Sequence, residues 1–378
     1  MENLLPTDIK LDIFSRLPAE SVLQCRQVCK TRQTLLLHDP SFAEIHLRRQ
    51  LLRLKFDEDQ VVDEYHNNSN TTTNQFLFVA LERKNQFYYG ECDENDEQTA
   101  SNDPVYICNP ITREFIDLPR YDININEASV LKAGYMVSGF GYNPSTNEYK
   151  VVRICYSLEK PLIGQVQVYT LGGISFSTRS RWRNKSEINY VLCGDRNNRL
   201  RPGILANGAL HWLDKEDKIV AFDLEDEEFR LLPSPPNCYR SDTRFYSVRL
   251  QVLGGCLCLI HQKNDKHVEI WSLKKKKKKK TKMSNISYDT KSEQEYQSWI
   301  WTREFTLELE DINQWYKPFA ITKNRKILLW YDHKILLRYH EHKFGGGIRL
   351  LAELHMPFYC SEAISHVNSF VSLKALGE

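Results

Sequence analysis

The chain has no apolar run of the roughly 18 residues that a membrane-crossing helix requires, and no excess of charge of one sign. Its 51 Lys and Arg face 49 Asp and Glu, a formal net charge of +2 over 378 residues. No overall field draws it to nucleic acid or to a lipid surface, so neither is an expected partner. Acidic Glu2 and amphipathic periodicity stand where a signal peptide would have a basic start and an apolar core. The expected location is therefore the cytoplasm, the nucleus or both, and the sequons at Asn67, Asn70, Asn184 and Asn285 are chance matches. A Gly-rich phosphate loop, a nucleophile elbow and a spaced Ser-His-Asp set are all missing, so an enzyme has no residues to rest on. No cofactor is expected.

Metal ligands are short as well. His340-x-His342 would face one way on a strand, with His333 nearby. No cysteine or carboxylate at matched spacing completes the four ligands of a structural zinc site. Cys25 and Cys29 lack partners in the same way. The ten cysteines are scattered, mostly in apolar runs such as those of Cys108, Cys155, Cys256 and Cys258, and read as small buried hydrophobes of a reducing compartment.

The first fifty residues carry a dense apolar helical pattern. Pro6 suits a first helical position. Ile9, Ile13 and Leu17 recur at i, i+4 and i+8 as one stripe, with Lys10, Asp12 and Arg16 off it. Pro18 ends that helix, because a proline disfavours the α region in the residue before it. A second helix is expected to place Val22, Cys25 and Cys29 on one side, with Leu23 and Val28 widening the face. Asp39-Pro40 restarts a helix that Phe42, Ile45 and Leu47 continue. A segment this short rarely builds its own core, so it is either a helical cap on a larger body or a docking surface.

Residues 51–74 are expected to be a linker or loop, polar and low in complexity over 57–74, and from 75 to 374 the pattern is that of strands. Internal repeats organise this region. Tyr106–Pro119 (YICNPITREFIDLP) overlays Val220–Pro233 (VAFDLEDEEFRLLP) without a gap, matching at Asn109/Asp223, Glu114/Glu228, Phe115/Phe229, Leu118/Leu232 and Pro119/Pro233. Val166–Leu171 (VQVYTL) likewise resembles Val268–Leu273 (VEIWSL), each ahead of a tryptophan-bearing strand. Hairpins are expected at Asn207-Gly208, Gly254-Gly255 and Asn324. Units of roughly 50 residues suit four-stranded propeller blades, about six in all; a pair of β-sandwiches is the alternative. Ile364–Leu373 is expected to form a last strand pair beside Phe76–Tyr89. The run Lys274–Lys280 interrupts a strand pattern and reads as a solvated inserted loop or a nuclear import signal. Glu225–Glu228 reads as a solvated acidic turn.

The order LP-x-D-I-x-x-D-I-x-x-R-L-P, then S-V-L-x-C-x-x-V-C-K, resembles the F-box, which binds a Skp-type adaptor in cullin-based ubiquitin ligases. That resemblance implies adaptor contacts at Leu5, Pro6, Ile9, Ile13, Leu17, Pro18, Leu23, Val28 and Cys29. Arg32 stands where the family usually has a tryptophan that packs the last helix. The body is similar to the F-box-associated domain of plant F-box proteins, a group that includes the S-locus F-box proteins. The matching segments are Asn109-Pro110-x-Thr112-Arg113, Gly139-Phe-Gly-Tyr-Asn-Pro to Tyr149-Lys-Val-Val, Asn207-Gly208-Ala-Leu-His211-Trp212, Phe222-Asp223-Leu to Phe229 and Leu253-Gly-Gly-Cys-Leu-Cys-Leu. Glu91–Asp103 replaces the family's Gly-x-x-Asn-Gly-Leu hairpin, which implies an incomplete early blade. The expected protein is thus a small all-α module (1–50) before an all-β, kelch-like propeller. It would be the non-catalytic receptor of a Skp–cullin–F-box ligase, gripping an unknown target protein. The alternative is a ligand-binding or scaffold propeller with weak or no adaptor binding.

Overall fold

The computed structural model describes residues 5–39, 41–49, 76–82, 86–87, 106–109, 111–119, 133–172, 181–192, 201–236, 247–263, 267–275, 299–308, 316–321, 326–331, 335–340, 347–353, 360–365 and 369–374. The linker 51–74, Glu91–Asp103, His333, His342, Asn324 and Lys276–Lys280 lie outside them. Two compact units result. One gathers residues 1–79, 105–120 and 363–378; the other holds 80–104 and 121–362.

The first unit contains helices α1 (Thr7–Ser15), α2 (Ala19–Cys25), α3 (Lys30–His38) and α4 (41–49). Prolines start two of them. Pro6 and Pro18 are the N-caps of α1 and α2, and their carbonyls accept the Lys10 and Val22 amides at 3.1 Å. Pro6 is thus one position earlier than its sequence suggested, and Pro18 opens α2 as much as it closes α1. The last turn of α1 tightens through the bonds Arg16 N to Ile13 O and Leu17 N to Phe14 O. The expected single helix through Cys29 is broken: Cys29 is extended (φ −159°, ψ 159°) and caps α3. Asp39 starts α4 as expected, its carboxylate accepting the Ser41 amide at 2.9 Å.

Four four-stranded antiparallel meanders build the second unit among the described residues. Two strand pieces precede them in the chain: β1 (Phe76–Glu82) with β2 (Gln86–Phe87), and the hairpin β3 (Tyr106–Asn109) with β4 (Glu114–Asp117). The first meander is β5 (Ala133–Asn143), β6 (Glu148–Ser157), β7 (Gly164–Gly172) and β8 (Arg183–Ile188). The second is β9 (Ile204–Ala206), β10 (Ala209–Leu213), β11 (Ile219–Asp223) and β12 (Phe229–Leu232). Then come β13 (Ser247–Leu253), β14 (Cys256–Gln262), β15 (His267–Lys275) and β16 (Trp299–Glu308). The last is β17 (Tyr316–Ile321), β18 (Ile327–Tyr331), β19 (Ile335–His340) and β20 (Gly347–Glu353). β21 (Cys360–Ser365) pairs with β1, in the order β2-β1-β21. The expected last strand pair is therefore one strand, and residues 369–374 leave the sheet for another task.

Sheets of the second unit stack face to face, first strand beside first strand. β5 touches β9, β9 touches β13 and β13 touches β17, with a parallel bridge between Gly139 and Gly203. Period-two alternation then feeds two cores from one strand. In β10, Leu210 and Trp212 enter the core shared with Val152 and Ile154, while Ala209 enters the core shared with Leu250 and Leu257. Burial on both faces explains the nearly continuous apolar runs of these strands. The pleat leaves little room where sheets approach. A Cβ on Gly139 would sit 2.8 Å from the Trp212 ring, and one on Gly203 would sit 2.4 Å from it.

The repeats have a common backbone device. In the β3–β4 turn the Asn109 carboxamide oxygen accepts the Ile111 amide, and Arg113 takes a left-handed φ of 61°. In the β11–β12 turn Asp223 accepts the Glu225 amide, and Glu227 takes 58°. The β5–β6 turn repeats this with Asn143, Ser145 and Asn147 at 55°. A side chain that closes its own turn makes the positive φ tolerable without glycine. Asn207 (53°) and Gly208 (81°) form the expected hairpin turn. β7 and β15, which carry the VQVYTL and VEIWSL pair, are both third strands of their sheets.

Candidate functional site

Helix α1 has two apolar faces. Leu11, 7% exposed, and half-buried Phe14 point inward with Val22, Leu36, Phe42 and Ala43. Roughly opposite them, at about 100° per residue, Leu5, Ile9 and Ile13 remain 48%, 46% and 45% exposed. Val28, in the turn before α3, is 64% exposed, and Pro6 and Pro18 are exposed as well. Cys29 is half-buried. Leu17 and Leu23 depart from the rest: both are half-buried and pack on the inner core. Sequence periodicity missed that inner face, for it gave Leu11 and Phe14 no role; Val22, expected on one side with Cys25 and Cys29, is fully buried in it.

Polar contacts fix α1 from the inside. The Arg49 guanidinium of α4 donates to the Asp12 carbonyl and the Ser15 hydroxyl, each at 2.6 Å, and pairs with the Asp12 carboxylate. The hydrogen bond from Arg49 and the charges of Arg16 and Arg49 hold the Asp12 carboxyl below its usual range, against a smaller opposing effect of burial. His46 of α4 lies 3.0 Å from the Leu17 carbonyl. Arg32 lies over the Phe14 ring at 5.9 Å, a cation–π contact.

Other candidates are structural. Cys258 is buried beside Ser272 and Leu253, and burial pushes its thiol up to about 12, away from nucleophile or ligand chemistry. No cluster of metal-ligating side chains occurs among the described residues. Within that set no helix is long and apolar enough to cross a membrane. Lys274 and Lys275 belong to β15, not to a loop. They pair in register with Ile300 and Trp299, and Lys274 binds the Glu304 carboxylate at 2.5 Å.

The Glu225–Glu228 turn is not simply solvated. Glu227, its side chain 8% exposed, binds Lys150 at 2.9 Å, Arg183 at 2.6 Å and Lys185 at 2.7 Å. Burial alone would raise its pKa, but hydrogen bonds from Arg183, Lys185 and Lys150 prevail and hold it at about 2. His211 is the neutral counterpart. Its Nδ1 donates to the Ile204 carbonyl at 3.1 Å, and burial drives its pKa down to about 4.

Acid should therefore loosen this unit in two stages. Below its ordinary 6.5 His211 takes a proton in the unfolded chain but not in the folded one until about 4, so stability falls across that window. Glu227 stabilises fully above 4.5, and its contribution fades as pH drops towards 2. Each shift corresponds to about 3 kcal/mol. Urea midpoints should decline from pH 6.5 to 4 less steeply in His211→Gln than in wild type; equal slopes would exclude His211 as the cause.

Comparison with known proteins places both parts of the chain. The family model described as "F-box-like" matches residues 3–47, and the one described as "F-box associated beta propeller domain" matches residues 54–334. The F-box protein At3g07870 of Arabidopsis thaliana is 26% identical over 384 residues, covering 89% of this chain and 84% of that protein. The F-box protein CPR1 of Arabidopsis thaliana is 26% identical over 309 residues, covering 71% and 69%. Among solved structures, the complex of the fission yeast SREBP–SCAP binding domains aligns at a TM-score of only 0.33, with 10% identity over 65% of this chain and 64% of that one. With its antiparallel meanders, its exposed helical face and the family match over most of its length, the chain belongs to the F-box associated beta propeller domain family and carries an F-box-like module ahead of that domain.

Proposed function

We propose that this protein is the substrate-recognition subunit of a Skp–cullin–F-box ubiquitin ligase, working in the cytoplasm, the nucleus or both. The observation that carries the reading is the outward apolar stripe of Leu5, Ile9 and Ile13 at α1, with exposed Val28 in the turn before α3, on a module that matches the F-box-like model. Exposed apolar side chains grouped on one helix face favour a protein partner over water, and an adaptor of the Skp type is the partner that F-box modules fit. Loops of the propeller domain would hold the target protein. Acceleration then comes from proximity, since target lysines are kept near a ubiquitin-charged enzyme at high effective concentration. No residue of the chain makes or breaks a covalent bond in this scheme. Capture on an immobilised Skp-type adaptor tests it. The wild-type chain should be retained, and recovery of all of it in the unbound fraction would favour the scaffold alternative.

A further inference from the structure

The inward core of the helices is completed by residues far along the chain. Phe370 is 4% exposed and belongs to the core of Leu11, Ala19, Val22, Leu36, Phe42 and Ala43. Its ring lies 5.7 Å from that of Phe42 and 5.0 Å, edge-on, from that of His46. Val371 and Ile111 pack against the same core. The segment that brings Phe370 there is held by the β3–β4 turn. The Asn109 carboxamide donates to the Ser369 and Val371 carbonyls at 3.0 and 2.9 Å. The Glu114 carboxylate accepts the Ser372 hydroxyl at 3.0 Å and the Leu373 amide at 2.6 Å. These bonds satisfy the backbone of a segment that joins no sheet. They also use the two residues that begin and end the repeated turn.

We infer that segment 369–374, gripped by Asn109 and Glu114, is a clasp that sets the packing of the helices and so presents the outer face of α1 for docking. Asn109, Glu114 and Phe370 are then positioning residues for adaptor binding. Phe370 packs in the inner core with Leu11, Phe42 and His46, and Asn109 and Glu114 act on it through segment 369–374. The docking half of this inference rests on the function proposed above; the packing half does not. Residues with no contact to a ligand can still modulate its binding.

Hydrogen exchange and adaptor capture on the full chain separate the two halves. In Phe370→Ala, amides of α1 and α4 should exchange roughly tenfold faster while those of β10 and β11 keep wild-type protection. Adaptor affinity should fall by a similar factor, and Phe370→Leu should recover most of both losses. Wild-type exchange in α1 and α4 of Phe370→Ala overturns the clasp. If that variant is unfolded throughout, Asn109→Asp decides. It keeps the turn's accepting oxygen but removes both donations to segment 369–374, and unchanged α1 and α4 exchange there also overturns the clasp. A wild-type chain that fails to bind adaptor removes the docking role and leaves the exchange result to judge the packing.

Discussion

Replacing Ile13 by aspartate is expected to abolish retention on a Skp-type adaptor while leaving the melting temperature of the free chain unchanged. Ile13 is 45% exposed, and its i−4 neighbour Ile9 is 46% exposed. Surface substitutions of this kind change stability by about 0.5 kcal/mol or less. Docking reverses the situation, because the face is then covered and the carboxylate is trapped without a partner. An unpaired buried charge costs about 3–5 kcal/mol, which is a loss of affinity of roughly a hundredfold or more. Leu11→Asp gives the opposite signature. Leu11 is 7% exposed and faces the inner core, so that variant should melt early. Retention of Ile13→Asp at the wild-type level would show that the α1 face is not the docking surface.

The second large effect is expected at Trp212. Its ring is 3% exposed, lies in the core between the β5–β8 and β9–β12 sheets, and donates Nε1 to the Ser138 carbonyl at 3.3 Å. Trp212→Ala should cost about 3–5 kcal/mol through lost burial and the cavity left behind. Gly203→Val is the complementary error. Its Cβ would lie 2.4 Å from the ring, so either the tryptophan or the strand must move, at about 1–3 kcal/mol. The two sites touch, so the double variant should lose less than the sum of the single losses. Urea unfolding of the three variants measures this. A Gly203→Val chain with a wild-type midpoint would show that the sheets are not closed around Trp212.

Local rules were readable in the residues themselves. Asn207-Gly208 announced a turn with two positive φ values, and the Asn109/Asp223 alignment marked two turns closed by the same side-chain device. The outward stripe of Ile9 and Ile13 was legible because i and i+4 share a helix face. Features settled by distant partners were not. Nothing near Leu11 and Phe14 says which apolar face is inward, since the covering group Phe370 comes from the far end of the numbering. The break at Cys29 has no Gly or Pro to mark it, and the apolar period runs straight through. Glu227 looked solvated because its three cations sit on other strands, Lys150 on β6 and Arg183 and Lys185 on β8. The need for glycine at 139 and 203 was equally hidden, because the Trp212 ring that fills the space left by their missing side chains belongs to another strand, β10.

The grip of Asn109 on Ser369 spans 260 positions of the chain, and this separation imposes a timetable. Synthesis delivers the α helices long before Phe370. Until Phe370 is made, the inner face of α1 lacks that part of its cover, and a contact this non-local is slow to form. The helical module is therefore expected to finish packing only once Phe370 is in place. A nascent chain truncated before Ser369 carries helices that proteases can reach, and protease sensitivity of such arrested chains would register the delay. On the function proposed above, the outer face of α1 would be set for docking only after the propeller domain has been made.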